Sequence, residues 1–462
     1  MPTPLRVGFI SLGCPKNTVD SEVMLGHLDR DGVELTTEMA RADVIVVNTC
    51  GFVDAAKEES VETILEAARH KSAGSCRRLV VAGCMVQRYR RELEKEVPEI
   101  DAFVDLDGLE EVRAAVGLNG APDRRPSPTR LPVIAPERPA PVFEPSTYLY
   151  GAETPRLRSG PPWTAYVKIA EGCDNLCSFC AIPRFRGAFR SRPPADIETE
   201  ARRLAGEGVR ELNLIAQDST AYGQDLGLTD GPTRLLDRLS RIEGLRWVRL
   251  FYVYPNKVQD SLLEVMGASN SIARYIDIPL QHASRPVLAR MRRGGSADSH
   301  LALLERIRRL VPGVAIRSTM IVGFPGETED DFRQLCDLVR EARFDNLGAF
   351  TYSHEDGTGA HALDDDVPPQ LKLERRDRLM EIQQAIALQR NENRIGRVFT
   401  VLSEGACPET EHLLQGRLEG QAPEVDGRVL INDGEAGPGR FVRVEITEAH
   451  PYDLVGRAIG PA

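Results

Sequence analysis

Three short apolar runs in the first hundred residues each end in a polar turn that carries a cysteine. Arg6-Val7-Gly8-Phe9-Ile10 runs into Ser11-Leu12-Gly13-Cys14-Pro15-Lys16-Asn17, Val44–Val47 into Asn48-Thr49-Cys50-Gly51, and Leu79–Ala82 into Gly83-Cys84. Runs of this length, rich in β-branched residues and closed by turn residues, predict buried strands. Helical spacing between them predicts helices from Ser21 to Arg30, from about Ala55 to His70, and beyond Gln87. Alternating strands and helices predict an α/β domain with a doubly wound parallel sheet, whose ligand crevice lies outside the carboxyl ends of the strands. Cys14, Cys50 and Cys84 all occupy such ends, so the fold is expected to gather three thiols that lie more than thirty residues apart in sequence.

From about Pro122 to Pro162 the chain turns to Pro, Arg, Ser and Thr without a sustained period, which predicts a linker or wrapping segment, with Tyr148 and Tyr150 near its packed end. Strand patterns then return at Thr164–Ala170, Glu211–Ala216, Trp247–Val253, Tyr275–Ile278, Val314–Gly323 and Asn346–Tyr352. Helical stretches such as Ile197–Glu207 and Glu329–Arg343 separate them. Six βα units predict a partial (βα)6 TIM-like barrel with its site at the strands' carboxyl ends. A long polar helix, about Gln370 to Arg394, leads to five short alternating stretches between Val398 and Ala458, the pattern of a small β-barrel. The expected boundaries are 4–118, a linker over 119–158, 159–390 and 391–462.

The first strand of the second set delivers Glu171–Cys180, in which Cys173, Cys177 and Cys180 stand in a Cys-x3-Cys-x2-Cys spacing. Three thiolates cannot close a tetrahedral zinc site or a four-thiolate iron–sulfur site, so a trio implies an open metal position that takes a substrate or cofactor. A zinc site completed by a distant residue, or an inert buried trio, would use the same side chains. Nine cysteines in a chain with no signal-peptide core and no apolar run of eighteen residues point to a reducing, cytoplasmic setting and to metal chemistry rather than disulfides. Cys76, Cys336 and Cys407 lack the strand-end placement and read as structural. A net charge of −11 argues against nucleic acid as the main partner, and residues 391–462 hold seven arginines, no lysine and twelve acidic residues.

The Cys-x3-Cys-x2-Cys loop after a strand resembles the radical S-adenosylmethionine (SAM) superfamily. With Ser11–Asn17, Asn48–Phe52, Gly83-Cys84 and the final barrel, the whole chain resembles the methylthiotransferase family, built from an amino-terminal methylthiotransferase domain, a radical SAM core and a TRAM domain. Ser11–Asn17, Cys50–Ser60, Lys168–Cys173, Tyr275–His282 and Gln421–Gly427 resemble the branch acting on ribosomal protein S12. Relatives that modify tRNA carry Gln-Met-Asn in place of Pro15-Lys16-Asn17.

The resemblance implies two 4Fe-4S clusters, one on Cys173, Cys177 and Cys180 that also holds SAM, and one on Cys14, Cys50 and Cys84. The first would cleave SAM to a 5′-deoxyadenosyl radical that takes hydrogen from the β-carbon of an S12 aspartate. A methylated sulfur carried by the second would then couple there to give 3-methylthioaspartate. Such chemistry asks for a low-potential electron donor such as flavodoxin, and an acidic surface fits a basic ribosomal protein. No catalytic side chain is assigned beyond the cluster ligands.

Expected SAM contacts are Phe179, Gln217, Asp218, Gln281, Arg317 and Gly323. Four of them have a second reading: Phe179 as ordinary wall, Asp218 as a turn cap, Gly323 with Gly326 as a tight turn, and Arg317 as the partner of a core acid. His282 reads as a helix cap or the partner of a core carbonyl. Methylthiolation of tRNA adenosine and a non-catalytic metal scaffold are the competing functions. The negative barrel counts against the first, and two incomplete ligand sets count against the second.

Overall fold

The computed structural model describes residues 4–118 and 145–462, so most of the expected linker, 119–144, lies outside the described residues. The described chain divides into two compact units. One holds the residues up to Ser159 together with Glu171–Asp174 and Ala181–Arg190, and the other holds Gly160–Ala170, Asn175–Cys180 and Ser191–Ala462.

The first unit is built on a five-stranded, wholly parallel sheet in the order Glu34–Thr36, Arg6–Ser11, Val44–Thr49, Arg78–Gly83, Ala102–Val104. Val44–Thr49 is buried along its whole length, as a central strand covered on both faces must be. The two edge strands, three residues each, are too short to leave a pattern in the sequence. Ile45, Val47, Leu79 and Val81 pack with Ile64, Ala67, Met85 and Val86 from the flanking helices. The first helix starts at Pro15, six residues ahead of expectation, because proline at the first position is already set to a helical φ. Its early turns bury Lys16, Asn17, Asp20, Ser21 and Glu22, polar residues that hide the helical face from a hydrophobicity reading.

The second unit carries the six expected parallel strands as two three-stranded sheets. Thr164–Lys168, Glu211–Ile215 and Trp247–Leu250 form one; Tyr275–Asp277, Ala315–Val322 and Asn346–Thr351 form the other. The helix Pro369–Glu392 leads to a closed five-stranded barrel, ordered Val398–Cys407, Thr410–Leu418, Val429–Asp433, Leu454–Pro461, Phe441–Ala449.

This small barrel belongs to the same unit as the six strands, and buried polar contacts join them at the strand starts. Glu211 Oε1 accepts from Arg249 Nη2 at 2.9 Å and from Arg417 Nη1 at 3.1 Å, and Tyr275 Oη donates to Asp426 Oδ2 at 2.8 Å. Burial pushes the Glu211 carboxyl up, but the charges and hydrogen bonds of Arg417 and Arg249 outweigh it and hold the group at about 2. The loops expected to carry chemistry lie at the other ends of these strands.

Candidate functional site

In the first unit Cys14, Cys50 and Cys84 lie just beyond the carboxyl ends of the strands Arg6–Ser11, Val44–Thr49 and Arg78–Gly83. Cys14 is the residue before the helix Pro15–Arg30, Cys84 opens the helix Cys84–Glu96 behind Gly83 at φ 94°, and Cys50 precedes the helix Asp54–Ala73. Helix amino termini favour anionic sulfur. Gly13, at φ 93°, lies so close to Cys50 that a Cβ there would stand 2.9 Å from the Cys50 Cβ and 3.3 Å from its sulfur. Asn17 ties the turns together, its Nδ2 donating to Leu12 O at 3.1 Å and Thr49 O at 2.8 Å.

Burial raises the Cys50 thiol pKa, and so does the nearby charge of Cys14. Burial pushes Cys84 up to about 12; Arg186 opposes that, while Cys50 and Cys14 add to it. The three thiols therefore sense one another. At Cys50 and Cys84 burial works against the thiolate, and a bound cation would supply the stabilisation that burial removes.

Arg186 is the residue the sequence pattern did not reveal. Its guanidinium, 4% exposed, donates from Nη2 to Cys84 Sγ at 3.1 Å, Asn17 Oδ1 at 2.9 Å and Asp20 Oδ2 at 3.0 Å, and from Nη1 to Glu171 Oε2 at 2.9 Å. Burial works against the guanidinium, yet Cys84, Glu171 and Asp20 hold its pKa well above the ordinary arginine value. A permanent cation beside a thiol suits a site whose ligands must become thiolates.

Of the second trio, Cys173 falls in the first unit and Cys177 and Cys180 in the second. Cys177 Sγ accepts from Arg293 Nη1 at 3.6 Å, and the loop is pinned by Ser178 N donating to Met291 O at 3.0 Å. Among the described residues, no three His, Cys, Asp or Glu side chains are drawn together closely enough to hold a metal ion.

At the carboxyl ends of the second unit's strands, Asp218 is buried. It caps the turn Ser219–Ala221 through Thr220 N at 3.0 Å, while its Oδ2 accepts from Asn175 Nδ2 and Lys257 Nζ, both at 2.8 Å. Gln217 precedes it, half-buried. Gln281 sits at φ 73°, a left-handed conformation costly for a residue with a side chain. Its buried Oε1 has no hydrogen-bond partner among the described residues, nor has Ser219 Oγ. Strain and orphaned polar atoms at strand ends fit a polar cofactor that would satisfy them.

Three family matches tile the chain: an uncharacterized protein family, UPF0004, over residues 6–105, the radical SAM superfamily over 167–339, and a TRAM domain over 395–459. The ribosomal protein uS12 methylthiotransferase RimO of Koribacter versatilis is 47% identical across 99% of this chain and 97% of its own length. The RimO proteins of Solibacter usitatus and Myxococcus xanthus are 50% and 48% identical, each over 99% of this chain and over 95% and 92% of their own lengths.

The chain belongs to the ribosomal protein uS12 methylthiotransferase family. The fold likeness extends to a radical SAM methyltransferase, TsrM of Kitasatospora setae, solved with tryptophan and a SAM analogue. Its TM-score is 0.54 at 15% identity, covering 83% of this chain and 89% of that one.

Within this methylthiotransferase, three of the expected SAM residues also have partners inside the protein. Arg317 pairs with Asp277 at 3.2 Å and Asp426 at 3.4 Å, towards the start of its strand, so its partners are core acids. Gly323 stands at φ 71°, donates to Glu327 Oε2 at 2.6 Å and leaves no room for a Cβ against Lys372, as a tight turn requires. Phe179 packs on a cluster that includes Val287, Phe324 and Tyr352. His282 Nδ1 accepts from Ser284 N at 3.0 Å, just ahead of the helix Arg285–Arg290. Lys257 and Asn175 were missed because a lysine in a short turn and an asparagine between cysteines carry no periodic signal.

Proposed function

We propose that the protein methylthiolates the β-carbon of an aspartate in ribosomal protein S12, with one 4Fe-4S cluster on each cysteine trio and SAM as co-substrate. The observation that carries this reading is the alignment of almost the whole chain with curated uS12 methylthiotransferases; supporting it, Cys14, Cys50 and Cys84 each lie just beyond a strand's carboxyl end and Cys84 Sγ accepts from Arg186. When bound, the clusters and SAM supply the one-electron chemistry and the hydrogen-abstracting radical that no side chain provides.

The protein's own groups hold and orient. The six cysteines offer thiolates, Arg186 offsets negative charge at Cys84 and its neighbours Cys14 and Cys50, and Asn17 fixes the Ser11–Asn17 turn against Thr49. Gln217, Asp218 and Gln281 are the side chains that would meet polar parts of SAM, with Asp218 held in place by Lys257 and Asn175. On this reading residues 4–118 are the methylthiotransferase domain, 159–390 the radical SAM core and 391–462 the TRAM domain. The electron comes from a low-potential donor of the flavodoxin kind. Among the described residues no helix is long and apolar enough to cross a membrane.

Anaerobic reconstitution with iron and sulfide counting, followed by assays with S12 and with tRNA, tests the proposal. Expected are about eight irons per chain, SAM-dependent release of 5′-deoxyadenosine and methylthiolation of S12. Methylthiolation of tRNA but not of S12, or a single cluster per chain, would overturn it.

A further inference from the structure

A cavity of about 1010 Å³ lies at the starting ends of the second unit's strands, the opposite end from the loops of Asp218 and Gln281. The strand starts, the far end of the helix Pro369–Glu392 and the first strand of the small barrel enclose it. Six arginines line it, Arg246, Arg274, Arg343, Arg390, Arg394 and Arg397, against two acids, Asp345 and Glu419. In a chain with a net charge of −11, this is a local reversal of sign.

The acids do not neutralise the arginines. Arg390 and Arg394 share the single carboxylate of Asp345, at 2.5 Å and 3.7 Å. Glu419 Oε1 is taken by the backbone N of Arg274 at 2.8 Å. The side chains of Arg246, Arg274 and Arg397 have no acid partner among the described residues; Arg246 and Arg397 lie 5.5 Å and 5.4 Å from the rings of Phe441 and Phe399. Burial lowers the Arg394 pKa; Asp345 opposes that, while the neighbouring charges of Arg390 and Arg397 reinforce it. Like charges are thus held together at a cost that a bound anion would remove.

We infer that this cleft binds the phosphodiester backbone of a nucleic-acid strand. A small-molecule site is typically apolar with a few polar groups, whereas this one is dominated by guanidinium forks. Its volume far exceeds a single phosphate, and its cations come from several separate elements, as contacts to more than one phosphate require. Net charge averages this cleft away, which is why the acidic composition does not exclude it. A strand held here would anchor the enzyme without entering the end where the SAM loops lie.

The test uses the full-length reconstituted protein and fluorescence anisotropy of labelled single-stranded RNA and DNA of mixed sequence, across a salt series. Both strands carry the phosphodiester, so both are expected to bind, with log K falling linearly with log salt. The triple variant Arg246→Gln, Arg274→Gln, Arg397→Gln removes cations that hold no ion pair, so its unfolding midpoint is expected to stay that of the wild type. Its affinity should fall tenfold or more, and its salt slope should shrink by about 2, since each single-strand phosphate contact contributes about 0.7. Arg202→Gln, Arg241→Gln and Arg333→Gln, all exposed and elsewhere on the unit, should change neither. No binding by the wild type, equal binding by the triple variant, or displacement by polyglutamate as readily as by polyphosphate would overturn the inference.

Discussion

Two buried arginine networks, one in each unit, use the same chemistry to opposite ends. Around Glu211 the network is closed: Arg249 and Arg417 both reach the carboxylate, and Arg417 also meets Glu404 at 2.7 Å. Every charge there has an opposite charge, and nothing is left over for a ligand. Around Arg186 the network is open, because Asp20 and Glu171 hold the guanidinium while one of its Nη2 contacts is the sulfur of Cys84. A satisfied network joins elements. One that ends on a thiol is set up for something to arrive.

The sharpest way to break that contrast is to remove what each network serves. Changing Cys14, Cys50 and Cys84 together to Ala is expected to abolish methylthiolation and to leave about four irons per chain instead of eight, with uncoupled 5′-deoxyadenosine release from SAM persisting. Iron and product quantification on the same reconstituted sample decides it, and full iron content in the variant would move the second cluster elsewhere.

Next in size is Glu211→Ala, which strands the buried guanidinium of Arg249 and leaves that of Arg417 with Glu404 alone. It should cost about 3–5 kcal/mol, read as a shift of the denaturant midpoint, with iron binding at Cys14, Cys50 and Cys84 retained below that midpoint. The same carboxylate has a pH signature. Its folded pKa, about 2, lies below its ordinary 4.5, so the stability it contributes is present above pH 4.5 and is lost as pH falls towards about 2. Glu211→Gln should flatten the acid limb of stability over that window, and an unchanged acid limb would mean that the pair is not formed in solution.

Arg186→Gln comes third, at about 1.5–3 kcal/mol for lost hydrogen bonds to charged groups. If the open network serves the thiols, it should also lower the reduction potential of the cluster on Cys14, Cys50 and Cys84, measured in a background lacking Cys173, Cys177 and Cys180. A stability loss with no change in potential would make Arg186 as structural as Arg417.

The smallest effect is expected from Gln281→Gly. Glycine removes the left-handed strain, so stability should rise or hold within about 1 kcal/mol while SAM binding weakens. Equilibrium binding of SAM beside a thermal melt separates the two.

The contrast also marks how far the chain could be read without coordinates. Strand ends at Cys14, Cys50 and Cys84 were legible because β-branched runs with terminal turns repeat three times, and Cys173, Cys177 and Cys180 because their spacing is local. The helix that starts at Pro15 was read short because polar residues fill its buried face. Arg317 was ambiguous because a strand arginine needs an acid, and no sequence pattern says whether the acid is a cofactor's or Asp426, more than a hundred residues away.

What the order of residues settled by itself, then, was periodicity and spacing: the alternation that makes a doubly wound sheet, six βα units and a small barrel, and the two cysteine triplets. Both follow from backbone geometry acting over a few residues. What only the tertiary structure decided was charge pairing across distance. It placed Arg186 beside Cys84, Arg417 on Glu211, and six arginines around a cleft in an acidic chain. Those pairings depend on where the chain returns in space, and a Coulomb interaction is set by that distance and by burial, neither of which is encoded locally.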